Sequence, residues 1–324
     1  MKRKLCNKCH APAFVHLRSG NISLCKEHYI EYYETKIKRT IRRYKLLENR
    51  YKILVAISGG KDSTALAVVL SKILKDYNIE MLGLYINLGI GEYSKKAENV
   101  VKTIAKRFDI PLIIYDLKEN DGFTIEDCKD LRRAICSCCG VVKRYIMTKV
   151  AYENDVDAIA TGHTLYDTLS FILKHFMNGE FHEMVRLEPN METIKELKAI
   201  GRIKPLYECT EEENLLYCIA QDINFLDDEC PFSEPTTVTF WKRIVINVEN
   251  RFPGTNLKFA RRYAKKLQPI LANIYLQRDI KTPIGMKKVN FCKICGYPTS
   301  EEICAFCRIK LGLKKRGKTV IFER

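Results

Sequence analysis

A chain of 324 residues with a hydrophobic fraction of 46% can bury a full core and carry more than one module, which excludes a disordered protein. No apolar run approaches the ~20 residues of a membrane helix, and no h-region follows the basic start, so a cytoplasmic protein with no membrane role is expected. Lys and Arg outnumber Asp and Glu by 55 to 39, a net charge of +16 that favours a polyanionic partner, nucleic acid foremost.

The chain opens on the first group of its fourteen cysteines. In a cytosolic protein, clustered cysteines read as metal ligands or redox groups rather than as a disulfide frame. Cys6-x2-Cys9 and, after fifteen intervening residues, Cys25-x2-His28 supply the four tetrahedral positions of a structural zinc. From about Glu27 a helix is predicted, because Ile30, Tyr33, Ile37, Ile41 and Tyr44 recur at spacings of three and four. Its other face carries Lys36, Lys38, Arg39, Arg42 and Arg43, either a solvated face or a nucleic-acid contact.

Apolar runs at Ile53–Ile57, Met81–Ile86, Leu112–Leu117 and Ala158–Ala160 then alternate with helical stretches near 62–76, 94–108 and 141–154. Buried strands alternating with helices predict an α/β fold, a doubly wound parallel sheet, with ligands at the carboxyl ends of its strands. "SGGKDS" lies at the first such end, "INLGIG" at the second and "TGH" (Thr161–His163) at another. Gly59 and Gly60 let the backbone approach an anion, and the helix that follows offers phosphate its positive end. Ser58 and Ser63 can donate to phosphate oxygens, Lys61 supplies a point charge, and Asp62 is placed to help hold Mg²⁺.

The middle cysteines differ from the first group. "ICSCCGVVKRY" pairs Cys136 with Cys139, and Cys230 stands alone in "DDECPFS". A pair plus a distant single thiolate suits an iron–sulfur cluster with one open iron. A redox dithiol and ordinary buried thiols are the other readings of that spacing. After Pro235 the pattern is helical and basic, and Trp241 reads as a core residue. The chain closes on Cys292-x2-Cys295 and Cys304-x2-Cys307, a second zinc knuckle in which Gly296 permits the tight turn, followed by a basic tail expected to be loosely held. Five segments are expected: a zinc finger over 1–30, a basic helix over 31–50, a catalytic domain over 51–235, a basic RNA-facing segment over 236–286, and a second finger with its tail over 287–324.

SGGKDS resembles the pyrophosphate loop of the PP-loop ATP pyrophosphatases, adenine nucleotide alpha-hydrolase-like proteins that cleave ATP between its α and β phosphates. More narrowly, the chain resembles the tRNA 2-thiouridine synthetases, the TtcA/TtuA group and its archaeal and eukaryotic cytosolic relatives. The likeness spans nearly the whole chain, through "CNKC", "RTIRRY", "VAISGGKDS", "INLGIG", "CSCCG", "TGH", "RIKPL", "ECPFS", "RFPGT" and the closing knuckle.

The resemblance implies that Ser58, Gly59, Gly60, Lys61, Asp62 and Ser63 hold ATP phosphates and that Gly162 and His163 line the same site. It implies a [4Fe-4S] cluster on Cys136, Cys139 and Cys230 whose fourth iron is free to carry sulfide. Catalytic roles fall to Lys143 and Asp167, and two Zn²⁺ modules flank the tRNA groove. The implied reaction transfers AMP to the C2 oxygen of uridine 34 or 54, after which sulfide displaces AMP. Sulfide itself or a ubiquitin-like thiocarboxylate carrier is the expected donor, and a homodimer the expected assembly. The family usually writes Thr-Gly-His-Asn-Leu-Asp-Asp-Glu where this chain has "TGHTLYDT". That departure keeps a second reading open, a non-catalytic tRNA-binding partner of an active paralogue.

Overall fold

Four of the apolar runs form the strands they predict, and a short fifth strand completes one parallel sheet. The computed structural model describes residues 4–234, 236–276 and 290–322. Pro235 and residues 277–289, where two expected domain boundaries lie, and the last two residues of the basic tail are outside that range.

The sheet comprises β3 (Lys52–Ala56), β4 (Glu80–Asn87), β5 (Leu112–Asp116), β6 (Ala158–Ala160) and β7 (Arg202–Ile203), in the order β5-β4-β3-β6-β7. Small antiparallel hairpins precede and follow it: β1 (Val15–Leu17) with β2 (Ile22–Leu24), and β8 (Asn290–Phe291) with β9 (Pro298–Thr299). The order reverses at β3, so the crevice between the ends of β3 and β6 is the switch point at which such sheets bind ligands. Alternate strand residues face opposite layers. Ile53, Val55 and Ile203 pack with α1 (Lys26–Arg43), α2 (Lys61–Asp76) and α3 (Gly91–Arg107). Leu54, Leu82 and Ile159 pack on the other side with α5 (Ile135–Glu153), which follows the single turn α4 (Leu117–Asp121).

A third cluster joins α6 (Leu165–Met177), the turn α7 (Phe181–Met184), α9 (Thr237–Arg251), α10 (Thr255–Arg262) and α11 (Gln268–Leu276). The basic segment is thus anchored rather than appended. Glu208, with 1% of its side chain exposed, accepts from Arg261 Nη2 at 2.6 Å and from Tyr44 at 2.9 Å, and pairs with Arg43 as well. Burial would raise its pKa, but Arg261 and Arg43 hold it below the usual carboxylate value. Trp241, read above as core, is only half-buried beside the exposed ring of Phe240, because α9 turns that edge to solvent.

The carboxyl-terminal module docks on α5 through α12 (Ala305–Lys314), where Phe306 stacks on Tyr145 with ring centroids 3.9 Å apart. Lys310 and Asp121 form a buried ion pair at 2.8 Å, and Tyr115 donates to the same carboxylate. The tail corrects its expectation. Ile321 N donates to Asp121 O at 2.8 Å, Lys318 pairs with Asp127 and Asp130, and Gly122 leaves room for the passing backbone. Lys318 thus meets an acidic turn, while Lys314, Lys315 and Arg316 face solvent.

Gly201 illustrates how closely the segment before β7 packs. A Cβ there would stand 2.2 Å from Met191 O and 2.7 Å from the Glu192 carbonyl carbon. Gly201→Ala is expected to cost about 1–3 kcal/mol or more, seen as a lower urea midpoint with an unchanged slope.

Candidate functional site

The phosphate loop is preshaped. Gly59 has φ +87°, in the left-handed region, and a Cβ there would meet Ala97 O at 3.2 Å. Ser63 Oγ donates to Gly60 O at 3.0 Å, accepts from Ser58 N at 3.0 Å, and lies 2.9 Å from Ser58 Oγ. These contacts curl Ser58–Ser63 around the start of α2, with Lys61 and Asp62 paired at 3.1 Å. Gly162, arriving from β6, passes so close that a Cβ would lie 3.2 Å from Ser63 N. The two loops expected at one site therefore meet across the switch point.

Asp62 is braced from outside the loop. Asn214 Nδ2, on α8 (Glu211–Ala220), donates to Asp62 Oδ1 at 2.8 Å, and Tyr33 OH donates to Asn214 Oδ1 at 2.6 Å. Both Tyr33 and Asn214 are fully buried. Sequence reading missed this brace, because the partners come from three separate helices.

His163 Nδ1 lies 2.8 Å from Thr161 Oγ1. Its ring keeps an open face to the cleft, yet crowding by protein and then the Lys204 ammonium push its pKa down to about 4. It is therefore neutral at physiological pH. Asp167 occupies the third position of α6. Its Oδ2 accepts from Thr164 N and Oγ1, both at 2.9 Å, and its Oδ1 accepts from Lys242 at 2.7 Å. Burial would raise the Asp167 pKa, but Lys242 and the Thr164 donors hold it low. Thr164 thus caps the helix as the family's Asn would, with Tyr166 buried in the core behind it, so "TGHTLYDT" folds as an ordinary helix start.

Helix α5 begins at Ile135, earlier than periodicity indicated, which puts Cys136 and Cys139 three residues apart on one face of its first turns. Cys136 Sγ donates to Phe232 O at 3.0 Å, so the turn carrying Cys230 lies against this helix end. Cys230, Cys136 and the Lys143 ammonium all act on the Cys139 thiol, whose pKa is raised by burial first and pulled back by Lys143. Cys138 points the other way, buried beside Cys128 in the core, and is not a fourth ligand.

Among the described residues, only the two terminal sets gather three or more such donors within 4.8 Å of one another. Cys136, Cys139 and Cys230 do not gather that closely, so they form no single-ion shell, and three thiolates are the donor chemistry that a polynuclear iron–sulfur group takes. In the terminal sets, Cys25 Sγ and His28 Nδ1 are 3.2 Å apart, and Cys295 and Cys304 sulfurs 3.7 Å apart. Backbone amides of Cys304 and Cys307 donate to Cys292 and Cys304 sulfurs, as knuckles around a thiolate-bound ion do, and Gly296 takes φ +67° in the turn.

Ser58, Ile86, Tyr93, Ala97, Lys143 and Met147 border a slot of about 110 Å³ at the ends of β3 and β4. Lys143 thereby connects the phosphate loop to the thiol triad. A larger cleft of about 380 Å³ opens between the amino-terminal hairpin and α8–α10, lined by Glu208, Glu212, Glu213 and Glu249 together with Arg18 and Lys36. Among the described residues, no helix is long and apolar enough to cross a membrane.

Residues 31–238 match the PP-loop domain family, and residues 5–30 match the amino-terminal LIM domain of the 2-thiouridine synthetase TtuA. The tRNA-5-methyluridine(54) 2-sulfurtransferase of Pyrococcus horikoshii is 41% identical over 310 residues, covering 96% of this chain and 94% of its own. That of Thermus thermophilus is 35% identical, over 97% and 93% of the two chains. The U34-tRNA thiolase NcsA of Methanococcus maripaludis, solved with its [4Fe-4S] cluster, superposes with a TM-score of 0.78 at 25% identity over the whole of both chains. With the family model spanning most of the chain and the relatives alike over nearly its whole length, the chain belongs to the PP-loop family of ATP-dependent tRNA 2-sulfurtransferases.

Proposed function

We propose that this enzyme thiolates C2 of the uridine-type base at position 54 of tRNA. The observation that carries the reading is Lys143, which borders the slot beside Ser58 while its ammonium acts on the Cys139 thiol. ATP and a sulfur nucleophile bound at these two places would act on one base. The greater likeness to the position-54 enzymes supports 54 over 34.

The C2 carbonyl of uridine has no leaving group, so the chemistry runs in two displacements. The base O2 attacks the α-phosphorus of ATP and pyrophosphate departs with the bridging oxygen's electrons. Hydrosulfide then adds to C2, the C2–O bond breaks, AMP leaves with the oxygen, and loss of the sulfur-borne proton gives the thiocarbonyl. Lys61, the hydroxyls of Ser58 and Ser63, and the loop amides stabilise charge on the phosphates, with Mg²⁺ held through Asp62. Neutral His163 can accept or donate one hydrogen bond to the nucleotide without adding charge. When bound to Cys136, Cys139 and Cys230, a [4Fe-4S] cluster supplies an open iron for sulfide. Lys143 attracts the anionic nucleophile toward the slot. Asp167, with both oxygens committed to protein donors, acts through them as the anchor of the Thr-Gly-His turn and of Lys242. Zn²⁺ in the two knuckles fixes the terminal modules, and sulfide or a thiocarboxylate carrier feeds a homodimeric enzyme.

The test is anaerobic incubation of the reconstituted protein with ATP, Mg²⁺, sulfide and tRNA, followed by nuclease mapping and nucleoside mass spectrometry. A 2-thio base at position 54 is expected. A thio base confined to position 34, or ATP consumed with no thio product, overturns the assignment.

A further inference from the structure

We propose that Arg144 and Arg202 form an anion subsite on the rim between the thiol triad and the Thr-Gly-His turn, and that it takes a phosphodiester of the substrate RNA. The inference rests on the tRNA-thiolation reading and adds a place for the strand that carries the target base.

Arg202 opens the edge strand β7 and pairs in register with Ile159 of β6, whose end leads into Thr161–His163. Its Nη2 reaches Thr148 Oγ1 on α5 at 3.5 Å, and that hydroxyl in turn donates to Arg144 O at 2.9 Å. One turn earlier still, the Arg144 guanidinium folds back over Gly140, where a Cβ would stand 3.3 Å from Nη1. Gly140 follows Cys139 directly. The two guanidinium groups thus mark a path from the switch point to the triad.

Among the described residues, Arg144 and Arg202 lack both a counter-charge and a carbonyl acceptor. Several other half-buried and buried cations are matched by carboxylates: Lys36 with Glu213, Lys242 with Asp167, Arg261 with Glu208 and Lys310 with Asp121. Lys204 donates to the Leu187 and Glu188 carbonyls, and Arg50 to Asn190 Oδ1. Burial and then Arg144 lower the pKa of Arg202 to about 10, while burial and then Arg133 lower that of Arg144. Like charges gathered without relief disfavour the empty site, and an anion between them removes the penalty.

Guanidinium forks match phosphate oxygens in two-point geometry, so the anion is a phosphate ester rather than a halide. The ATP phosphates have their own cradle at Ser58–Ser63. A base that enters the slot leaves its sugar–phosphate strand on the rim, within reach of this pair.

The full-length, anaerobically reconstituted protein tests the inference as the wild type, Arg144→Ala, Arg202→Lys and the Arg144→Ala/Arg202→Ala double variant. Measurements are tRNA affinity against salt, ATP affinity, visible cluster absorbance and melting temperature. The double variant is expected to bind tRNA about 10–100-fold more weakly, with its salt slope reduced by roughly 1, while ATP affinity and cluster absorbance stay unchanged. Arg202→Lys keeps the charge but loses the two-point fork, so a loss smaller than that of the double variant is expected. Should alanine at half-buried position 202 unfold the chain, exposed Arg144→Ala carries the test alone, with about a tenfold loss expected.

Unchanged tRNA affinity and salt slope overturn the subsite. Lost ATP affinity with intact tRNA binding overturns the RNA assignment, since the pair then serves the nucleotide's own phosphate. A wild type that binds no tRNA overturns the thiolation reading itself, a result distinct from either.

Discussion

Cys230→Ser is expected to yield a folded but colourless protein that no longer thiolates tRNA. Cys230 lies on a half-buried turn outside the sheet, at the margin of the α5-side core, so the substitution touches only the edge of that layer. It removes the one proposed ligand that does not come from α5. Two thiolates on the first turns of one helix cannot enclose a cubane by themselves. Positioning a nucleophile is worth roughly 7–11 kcal/mol of barrier, so product formation should fall at least about a thousandfold. Anaerobic absorbance, iron and sulfide content, and 2-thio nucleoside yield check the outcome together. A variant that keeps its colour and its activity would show that the cluster sits elsewhere.

Lys61→Ala should separate ATP chemistry from the sulfur arm. The lysine stands at the start of α2 with its ammonium 3.1 Å from Asp62, inside the cradle closed by Ser58, Ser63 and Gly162. Removing a preorganised charge from a developing phosphoryl transition state typically costs about 10²–10³ in rate. tRNA-dependent release of AMP and pyrophosphate is expected to fall by that factor. Cluster absorbance and tRNA affinity should hold, because neither Cys139 nor the basic rim touches Lys61. Parallel loss of colour would mean instead that the loop and the triad fold as one unit.

Much of this architecture is legible in the chain because local patterns and tertiary roles coincide. The runs at Ile53, Met81 and Ala158 are largely buried on both faces, that at Leu112 forms a half-exposed edge strand, and their alternation with helices leaves few other topologies. The phosphate loop and both knuckles are short-range, so spacing alone exposes them. Long-range partnerships are not written that way. The approach of Cys230 to α5 depends on where the turn around Phe232 docks. The start of α5 was hidden because Cys, Ser and Gly are weak helix formers, held helical here by Cys138 and Val142 in the core. The tail looked free because its acidic partners, Asp127 and Asp130, lie far away in sequence. Arg144 and Arg202 come from separate elements, α5 and the edge strand β7, so no spacing in the chain relates them.

The brace on Asp62 bears on how the amino-terminal module relates to the rest of the molecule. Helix α1 starts at Cys25 and His28, carries Tyr33 two turns on, and reaches the phosphate cradle through one amide side chain. Asp62 cannot turn without dislodging Asn214, nor Asn214 without breaking with Tyr33. The knuckle at the head of the chain and the phosphate cradle thus share one helix and are joined through two hydrogen bonds that bypass the sheet.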